Sequence, residues 1–221
     1  MRKALIVLGT MIATAISGCA SFNQQGMNAK AAPEIKGQTV TSTTREKPDF
    51  AAMTPGKATF AVIGAVAMIS EGNSIISTHN VADPADEIAI GLATELKKAY
   101  GMRLVTPPIK VGADDPAQIA SSSKDAVRYV IDAKTINWSI GYFPTDWTHY
   151  RTIYTAKARL INLQTKDVVA EGFCKHIPES NVNAPTYDEL IGNQASRLKS
   201  HLNTIAQECI NSMKTQMLTG A

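Results

Sequence analysis

Residues able to perform catalysis are scattered along this 221-residue chain instead of forming a set with a known spacing. Ser121-Ser122-Ser123-Lys124 matches the Ser-x-x-Lys nucleophile pattern, but the Ser-Asp-Asn and Lys-Thr-Gly sequences that complete such a site are absent. No Ser/His/Asp pattern, Cys/His catalytic pattern or glycine-rich phosphate loop accompanies the histidines, which are His79, His149, His176 and His201. The sequence therefore predicts a protein that is not an enzyme and that has no cofactor.

Carboxylates and one Cys/His pair are the other candidates for chemistry. Asp83, Asp86 and Glu87 lie at the start of a predicted helix, where negative charge complements the helix dipole, so we interpret them as capping residues. Cys174 and His176 are residue types that bind metals, but no second pair at a ligand spacing accompanies them. We predict no metal site.

The first residues of the chain have the pattern of an export signal. Arg2 and Lys3 precede an apolar segment at 4–16. As a helix this segment would cover about 20 Å, which is less than the ~30 Å hydrocarbon core of a bilayer. The segment is therefore typical of a signal peptide and not of a membrane span. It ends in Ile16-Ser17-Gly18-Cys19, which resembles the lipobox of bacterial lipoproteins.

The lipobox resemblance implies that residues 1–18 are a lipoprotein signal peptide and that Cys19 becomes the lipid-bearing first residue. Several acyl chains on one residue give a stable membrane anchor, because each buried methylene contributes about 0.8 kcal/mol. Ala20 follows the cysteine, and by the sorting rule of this class it implies the periplasmic face of the outer membrane. The alternative is an ordinary secretory signal in which Cys19 has no such role.

Residues 19–56 have the composition of a flexible linker behind that anchor. Asn, Gln, Thr, Ser, Lys and Pro are frequent, and no apolar period of a helix or strand persists. A disordered chain of about 36 residues spans about 33 Å on average. We therefore predict a tether at 19–56 and one periplasmic domain at 57–217, with the alternative that part of the tether packs on the domain as an irregular arm.

The charge of the chain argues against a nucleic-acid partner. The full sequence has 22 basic and 19 acidic residues, for a formal charge of +3. Without Arg2 and Lys3 the balance is 20 to 19, or +1. Nucleic-acid binding needs a concentrated basic patch, which this composition does not suggest.

Hydrophobic patterns predict the strands and helices of the domain. The apolar run 57–69 predicts a strand buried on both faces, and further strands are predicted at 102–106, 127–140, 149–163 and 168–174. Three helices are predicted from their capping residues, which are Asp83-Pro84 with Gly101, Asp115-Pro116, and the capping box of Thr186 and Glu189. The order βαβαβββα predicts a two-layer α/β (α+β) domain, with a mixed sheet and its helices on one face.

Three parts of this pattern resemble known envelope modules. They are a helix ending in Tyr100-Gly101, the long strand at 129–140 and the strand–turn–strand at 158–172. The arrangement is similar to the curli-secretion lipoprotein family and to the amino-terminal domain of the Tol-system protein TolB. The resemblance implies an accessory role in the cell envelope and one or more envelope proteins as partners.

Two cysteines remain once Cys19 is assigned to the lipid. An oxidising compartment, which the export signal implies, permits Cys174 and Cys209 to form a disulfide. Cys174 ends the last predicted strand and Cys209 lies on the apolar side of the last predicted helix. A disulfide is the first interpretation, two buried thiols are the second, and a metal or redox role is the third.

Five aromatic residues concentrate around one predicted loop, and they are Trp138, Tyr142, Phe143, Trp147 and Tyr150. Tryptophan and tyrosine on an exposed hairpin would suit contact with a protein partner or a glycan. The alternative is that these side chains fold back and fill the end of the sheet.

These observations predict an outer-membrane-anchored periplasmic lipoprotein, held to the membrane through its N-terminal lipid. We expect a non-enzymatic interaction or accessory module in envelope assembly, secretion or cell-wall maintenance, and we leave its oligomeric state open. The alternative function is a glycan-binding or small-ligand-binding module that uses the aromatic loop at 138–150.

Overall fold

The computed structural model describes residues 24–54, 61–123 and 127–218, without the side chains of 61–63. The predicted lipobox and Cys19 lie outside the described residues. Within them the helices are α1 (Ala31–Ile35), α2 (Ala61–Thr78), α3 (Pro84–Tyr100), α4 (Pro116–Ser121) and α5 (Tyr187–Leu218). The strands are β1 (Thr39–Thr44), β2 (Ala51–Ala52), β3 (Arg103–Leu104), β4 (Ile109–Lys110), β5 (Tyr129–Phe143), β6 (Asp146–Asn162) and β7 (Val168–His176).

The described strands form one mixed sheet of seven strands in the order β3-β1-β5-β6-β7. β1 is parallel to β3, β4 and β5, and β2 adds a short parallel pairing to β5. The three long strands β5, β6 and β7 form an antiparallel meander, as predicted. The predicted α+β class is confirmed, whereas the predicted order of elements is not.

The two faces of the sheet bury different cores. The larger core lies on the face covered by α3 and α5, and Leu92, Ile131 and Leu202 are among its buried side chains. On the other face Ile119 of α4 joins a smaller cluster with Val130 and Ile161. The prediction that all helices share one face is therefore wrong for α4, because an alternating strand such as β5 carries apolar residues on both faces.

The predicted flexible tether is wrong for residues 24–54. Val40 and Phe50 are fully buried, Met27 is 2% exposed, and β1 lies inside the sheet between β3 and β5. The polar side chains of β1 are buried too, since Thr41 donates a hydrogen bond to the carbonyl of Val105 at 2.7 Å. A strand rich in threonine looks like a linker in composition, although β-branched threonine suits a strand.

The apolar run at 57–69 is also not the predicted strand, because α2 spans Ala61–Thr78. A continuous apolar run has no period that separates a buried strand from a buried helix. Gly72 lets α2 approach the chain just before β2, since a Cβ there would lie 1.9 Å from the carbonyl oxygen of Phe50.

Local capping signals in the sequence predicted α3, α4 and the start of α5 correctly, whereas α1 lies in the predicted tether and was not predicted. The Asp83 side chain accepts from the backbone N–H of Ala85 at the start of α3, and Gly101 ends that helix with φ of 64°. Thr186 and Glu189 form the predicted capping box at the start of α5. The last helix was predicted as one element, but non-helical dihedrals at 192–195 interrupt it after its first turns.

Candidate contact surface at the hairpin end

One end of the domain combines the β5–β6 turn with the segment that leads into α5. We call residues 143–150 and 176–189 the hairpin end. The backbone N–H of Tyr150 donates to the carbonyl of Pro185 at 2.7 Å, and His149 forms an isolated bridge with Thr186. These bonds hold the connecting segment against β6, so the two parts form one surface.

Asp146 joins the two parts of the hairpin end through its carboxylate. Its Oδ1 accepts from the backbone N–H groups of Thr148 and His149 at 2.9 and 3.2 Å. Its Oδ2 accepts from Asn181 Nδ2 at 2.8 Å and from His149 Nδ1 at 2.5 Å. These hydrogen bonds, with that from Thr148 as the largest contribution, lower the pKa of Asp146 below its usual value.

Large apolar side chains are exposed beside this carboxylate. Trp147 is 73% exposed and Val182 is 76% exposed. Trp147 follows Asp146 in the chain, and Val182 follows Asn181. Because Asn181 donates a hydrogen bond to Asp146, the backbone positions of Trp147 and Val182 are close together. Ile177, which is 38% exposed, belongs to the same segment. An exposed tryptophan with apolar neighbours is typical of the centre of a protein contact site.

The other predicted contact residues do not share this exposure. Trp138, Phe143 and Tyr150 are 1–2% exposed, and Tyr142 is half-buried. Trp138 donates from Nε1 to the carbonyl of Pro48 at 3.1 Å and packs edge-on against Phe50 with ring centroids 4.9 Å apart. The prediction of a five-residue aromatic contact loop is therefore wrong for four of its members, which pack inward as the alternative stated, and Trp147 alone extends outward.

Three tyrosines, Tyr142, Tyr150 and Tyr187, pack against each other at this end of the domain. The rings of Tyr142 and Tyr150 have centroids 4.8 Å apart, and Tyr187 of α5 follows at 5.4 Å from Tyr150. Tyr142 also donates its hydroxyl to the carbonyl of Thr54 at 3.0 Å. This packing attaches the start of α5 and the end of the 24–54 segment to the β5–β6 hairpin.

A cavity of about 250 Å³ is lined by Tyr150 and by two histidines, His176 and His201. His176 bonds to Glu208 at 2.8 Å, and His201 Nδ1 lies 3.3 Å from the hydroxyl of Thr152. Burial, and then the charges of Arg197 and His176, lower the pKa of His201. Because burial disfavours the charged imidazolium, the environment of His201 favours its neutral form.

Arg151 also lines this cavity and contributes a positive charge to it. Arg151 donates from Nη1 to the carbonyl of Pro178 at 3.0 Å, and its guanidinium lies 5.5 Å from the ring centroid of Phe143. A cavity with an arginine, histidines and aromatic walls can hold a small molecule that has an acidic group and an apolar part.

The predicted disulfide between Cys174 and Cys209 is present, with sulfurs 2.00 Å apart and Cα atoms 5.3 Å apart. It connects the end of β7 to α5 near His176 and Glu208. Because the Cys174 sulfur is used in this bond, the free-thiol and metal interpretations of that residue do not apply. Across the described residues, no group of three or more His, Cys, Asp or Glu side chains is placed to hold a metal ion.

A buried charge cluster on the α4 face of the sheet was missed by the sequence analysis. Asp132 is fully buried and accepts from Arg159 Nη2 at 2.6 Å, Arg45 Nε at 2.9 Å and Thr43 Oγ1 at 3.0 Å. The sequence predicted a strand at 127–140 and no role for Asp132. The available signal was Arg159, which lies opposite Asp132 in the β5–β6 register.

Asp114 extends this cluster toward solvent. It lies 3.2 Å from Lys157 Nζ, 3.4 Å from Lys134 Nζ and 3.1 Å from Arg159 Nη2. Burial alone would raise the pKa of Asp114, but the hydrogen bond from Lys157 and the surrounding positive charges outweigh it, so the pKa is lowered. Each basic side chain of the cluster contacts Asp132 or Asp114. We interpret the cluster as a structural link between β1, β5 and β6.

The chain matches no protein-family model, and it matches no curated protein. No helix in the described part of the chain is long and apolar enough to cross a membrane.

Several solved bacterial proteins are similar in structure. The hypothetical protein CT253 of Chlamydia trachomatis has a TM-score of 0.40 at 7% identity, covering 81% of this chain and 95% of its own. The PelC dodecamer of Paraburkholderia phytofirmans has a TM-score of 0.35 at 13% identity, and the match covers 89% of this chain and 98% of the PelC chain. Lipoprotein GNA1162 of Neisseria meningitidis has a TM-score of 0.30 at 17% identity, and the match covers 77% of this chain and 99% of the GNA1162 chain. These scores and identities assign neither a family nor an activity.

Proposed function

We propose that this chain is a lipoprotein anchored through Cys19 to the periplasmic face of the outer membrane, and that it acts without catalysis by binding an envelope protein. The hairpin end is the proposed contact surface. The observation that carries this proposal is the exposure of Trp147 beside Val182, with the hydrogen bond between Asp146 and Asn181 holding the two segments together.

The charge of the hairpin end indicates the chemistry of the partner. Its acidic residues are Asp146, Glu179, Asp188 and Glu189. The basic residues at its border are Lys175, Arg151, which donates to the carbonyl of Pro178, and Arg197, which pairs with Glu189. Interfaces commonly place an aromatic anchor in a pocket with complementary charges around it. We therefore propose a partner with an apolar pocket for Trp147 and basic residues around that pocket.

The proposal of a non-enzymatic role draws on the roles of the described titratable groups. His149 and His176 bond to carboxylates, and Asp83 caps α3 while accepting from Thr135 at 2.5 Å. Burial raises the pKa of Asp83, but its carboxylate serves the helix and the core. Each of these groups has a structural task in the arrangement observed.

Site-specific crosslinking tests the contact surface. A photo-crosslinking amino acid at Trp147 is expected to capture one defined protein in intact cells, and the same substitution at Val66, which is 72% exposed on α2, serves as the matched control. Excess purified domain should compete with the capture, whereas the same domain with Trp147→Ala should not. Equal capture from both positions, or equal competition by both domains, would contradict the proposed surface.

Mass analysis tests the anchor. The tryptic N-terminal peptide from the native protein is expected to carry acyl groups on Cys19, and Cys19→Ser should release the protein from the membrane fraction. An unmodified Cys19 thiol in the native protein would sink the lipoprotein assignment.

The alternative function is binding of a glycan or another small ligand. The observation that favours it is the cavity of about 250 Å³ beside the hairpin end, with Arg151, His176 and His201 in its wall. Retention of the purified domain on peptidoglycan or polysaccharide, lost in His201→Gln but kept in Trp147→Ala, would favour this function over protein binding.

A further inference from the structure

The placement of residues 24–37 limits how far the domain can move from a lipid at Cys19. Gln25 exchanges two backbone hydrogen bonds with Glu171 of β7, at 2.9 and 2.8 Å, and the backbone N–H of Met27 donates to the carbonyl of Met217 at 3.0 Å. The six residue steps from 19 to 25 can cover at most about 22 Å in any conformation. The domain is therefore attached closely, and not by the long tether that composition predicts.

This attachment point lies far from the hairpin end. Glu171 is paired with Arg159 in the register of β6 and β7. From residue 159 the strand β6 continues to Asp146 at the hairpin turn, a distance of roughly 40 Å at a rise of about 3.3 Å per residue. The turn at 164–167, which connects β6 and β7, lies at the opposite end of the same strands.

The two ends of the domain differ in charge. We call residues 24–37, 97–104, 164–167 and 214–218 the strap end. Hydrogen bonds from Gly37 to Tyr100 and from Tyr100 to Leu218 join three of these segments, and residues of 164–167 line one cavity with residues of 24–37. Its acidic residues are Glu34 and Asp167, and its basic residues are Lys30, Lys36, Lys97, Lys98, Arg103, Lys166 and Lys214. Two of these lysines, Lys98 and Lys214, pair with Glu95. With Glu95 counted, the strap end has seven basic against three acidic residues and is net basic. The hairpin end, with Arg151, Lys175 and Arg197 at its border, has four acidic against three basic residues.

We propose that the strap end faces the bilayer and that the hairpin end points away from it. This inference rests on the proposed lipid at Cys19. A basic surface is attracted to anionic phospholipid headgroups, and an acidic one is repelled. With at most about 22 Å of chain and roughly 40 Å of strand, the contact surface stays within about 60 Å of its membrane. The partner must therefore present its pocket within that distance of the same bilayer.

Energy transfer to labelled lipids tests this orientation. The full lipidated protein is placed in phosphatidylethanolamine vesicles that contain phosphatidylglycerol and an acceptor dye on lipid headgroups. A fluorescent amino acid replaces Thr165 or Thr145, which are exposed turn residues at opposite ends of β6. We expect severalfold higher transfer from position 165 than from position 145. Equal transfer would overturn the inferred orientation, and reversed transfer would overturn it and place the hairpin end nearer to the membrane.

Paired charge variants separate the electrostatic attraction from the chain length. Lys30→Glu with Lys166→Glu is expected to reduce the difference in transfer, as is raised salt or omission of phosphatidylglycerol. Lys110→Glu with Lys47→Glu, the same charge change at exposed lysines outside both ends, should leave it unchanged. Identical effects of the two double variants would show that charge at the strap end does not orient the domain.

Flotation and mass analysis of the same preparation distinguish a failure of the proposed lipid anchor from a failure of the inferred orientation. If Cys19 carries no lipid and the protein does not float with the vesicles, the proposed function fails and this inference fails with it. If Cys19 is lipidated and the protein floats, but positions 165 and 145 transfer equally, the anchor stands and the inferred orientation alone is wrong.

Discussion

Asp132 of β5 and Arg159 of β6 face each other across the antiparallel pair, with Arg159 Nη2 2.6 Å from Asp132 Oδ2 in a fully buried position. Arg45, which follows β1, donates to the other oxygen of the same carboxylate. The N-terminal segment that composition predicts to be a tether thus contributes a partner to the interior of the domain.

Removing the Asp132 charge is expected to destabilise the domain strongly. Asp132→Asn leaves the Arg159 and Arg45 side chains without their buried counter-charge, and breaking a buried pair in this way costs about 3–5 kcal/mol. Urea unfolding measures the loss. Asp114→Asn, at a half-exposed carboxylate, should cost much less. Similar midpoints for the two variants would contradict the assigned role of Asp132.

The segment before residue 57 is expected to be necessary for folding. A chain beginning at residue 57 lacks β1, so β3, β4 and the start of β5 lose their pairing partner. A chain beginning at residue 24 keeps all described strands and should unfold cooperatively, as measured by circular dichroism. If the shorter chain unfolds with the same midpoint, β1 does not belong to the folded unit.

The disulfide is expected to contribute substantially to stability. Its sequence separation is 35 residues, and closing a loop of this length stabilises by about 4 kcal/mol in the chain-entropy model. The double variant Cys174→Ser/Cys209→Ser should lower the free energy of unfolding by that order. The wild-type protein under reducing conditions should lose a similar amount, while the double variant should be insensitive to reductant. A reductant effect on the double variant would assign the loss to another cause.

The hairpin end is expected to loosen in acid through Asp146. Its pKa is lowered in the folded protein, so its contribution is complete above the unfolded value of about 3.9 and declines as the pH falls toward the folded pKa. Hydrogen exchange in 177–186 should therefore increase as the pH falls below about 4, after correction for the intrinsic rate. Asp146→Asn should show fast exchange at every pH, and Asp188→Asn should behave as wild type. Wild-type-like protection in Asp146→Asn would show that this carboxylate does not hold the segment.

The sequence predicted the elements that have local start and stop signals. Asp83 with Gly101 and Thr186 with Glu189 marked the helix ends, because capping depends on residues close in the chain. The antiparallel meander was predicted because alternation and a four-residue turn suffice to pair β6 with β7. The disulfide was the first interpretation of Cys174 and Cys209 because the predicted export signal implies an oxidising compartment, and because Cys174 ends the last predicted strand while Cys209 lies on the apolar side of the last predicted helix.

Elements whose conformation depends on distant partners could not be predicted. The run 57–69 contains residues that suit either a buried strand or a buried helix, and contact of Gly72 with Phe50 accompanies the helical choice. The Thr-rich β1 shows no apolar alternation, and it becomes a strand because β3 and β5 supply its hydrogen bonds.

By itself, the sequence determined the predicted signal at the N-terminus, the mixed class of fold and the helices with their caps, since each depends on residue types at short spacing. Tertiary structure alone decided which aromatic residue is exposed, which segments form the basic strap end, and that residues 24–54 belong to the domain. Charge pairing and backbone pairing both arise between residues far apart in the chain, as the ion pair of Asp132 with Arg45 and the backbone bridge of Gln25 with Glu171 show.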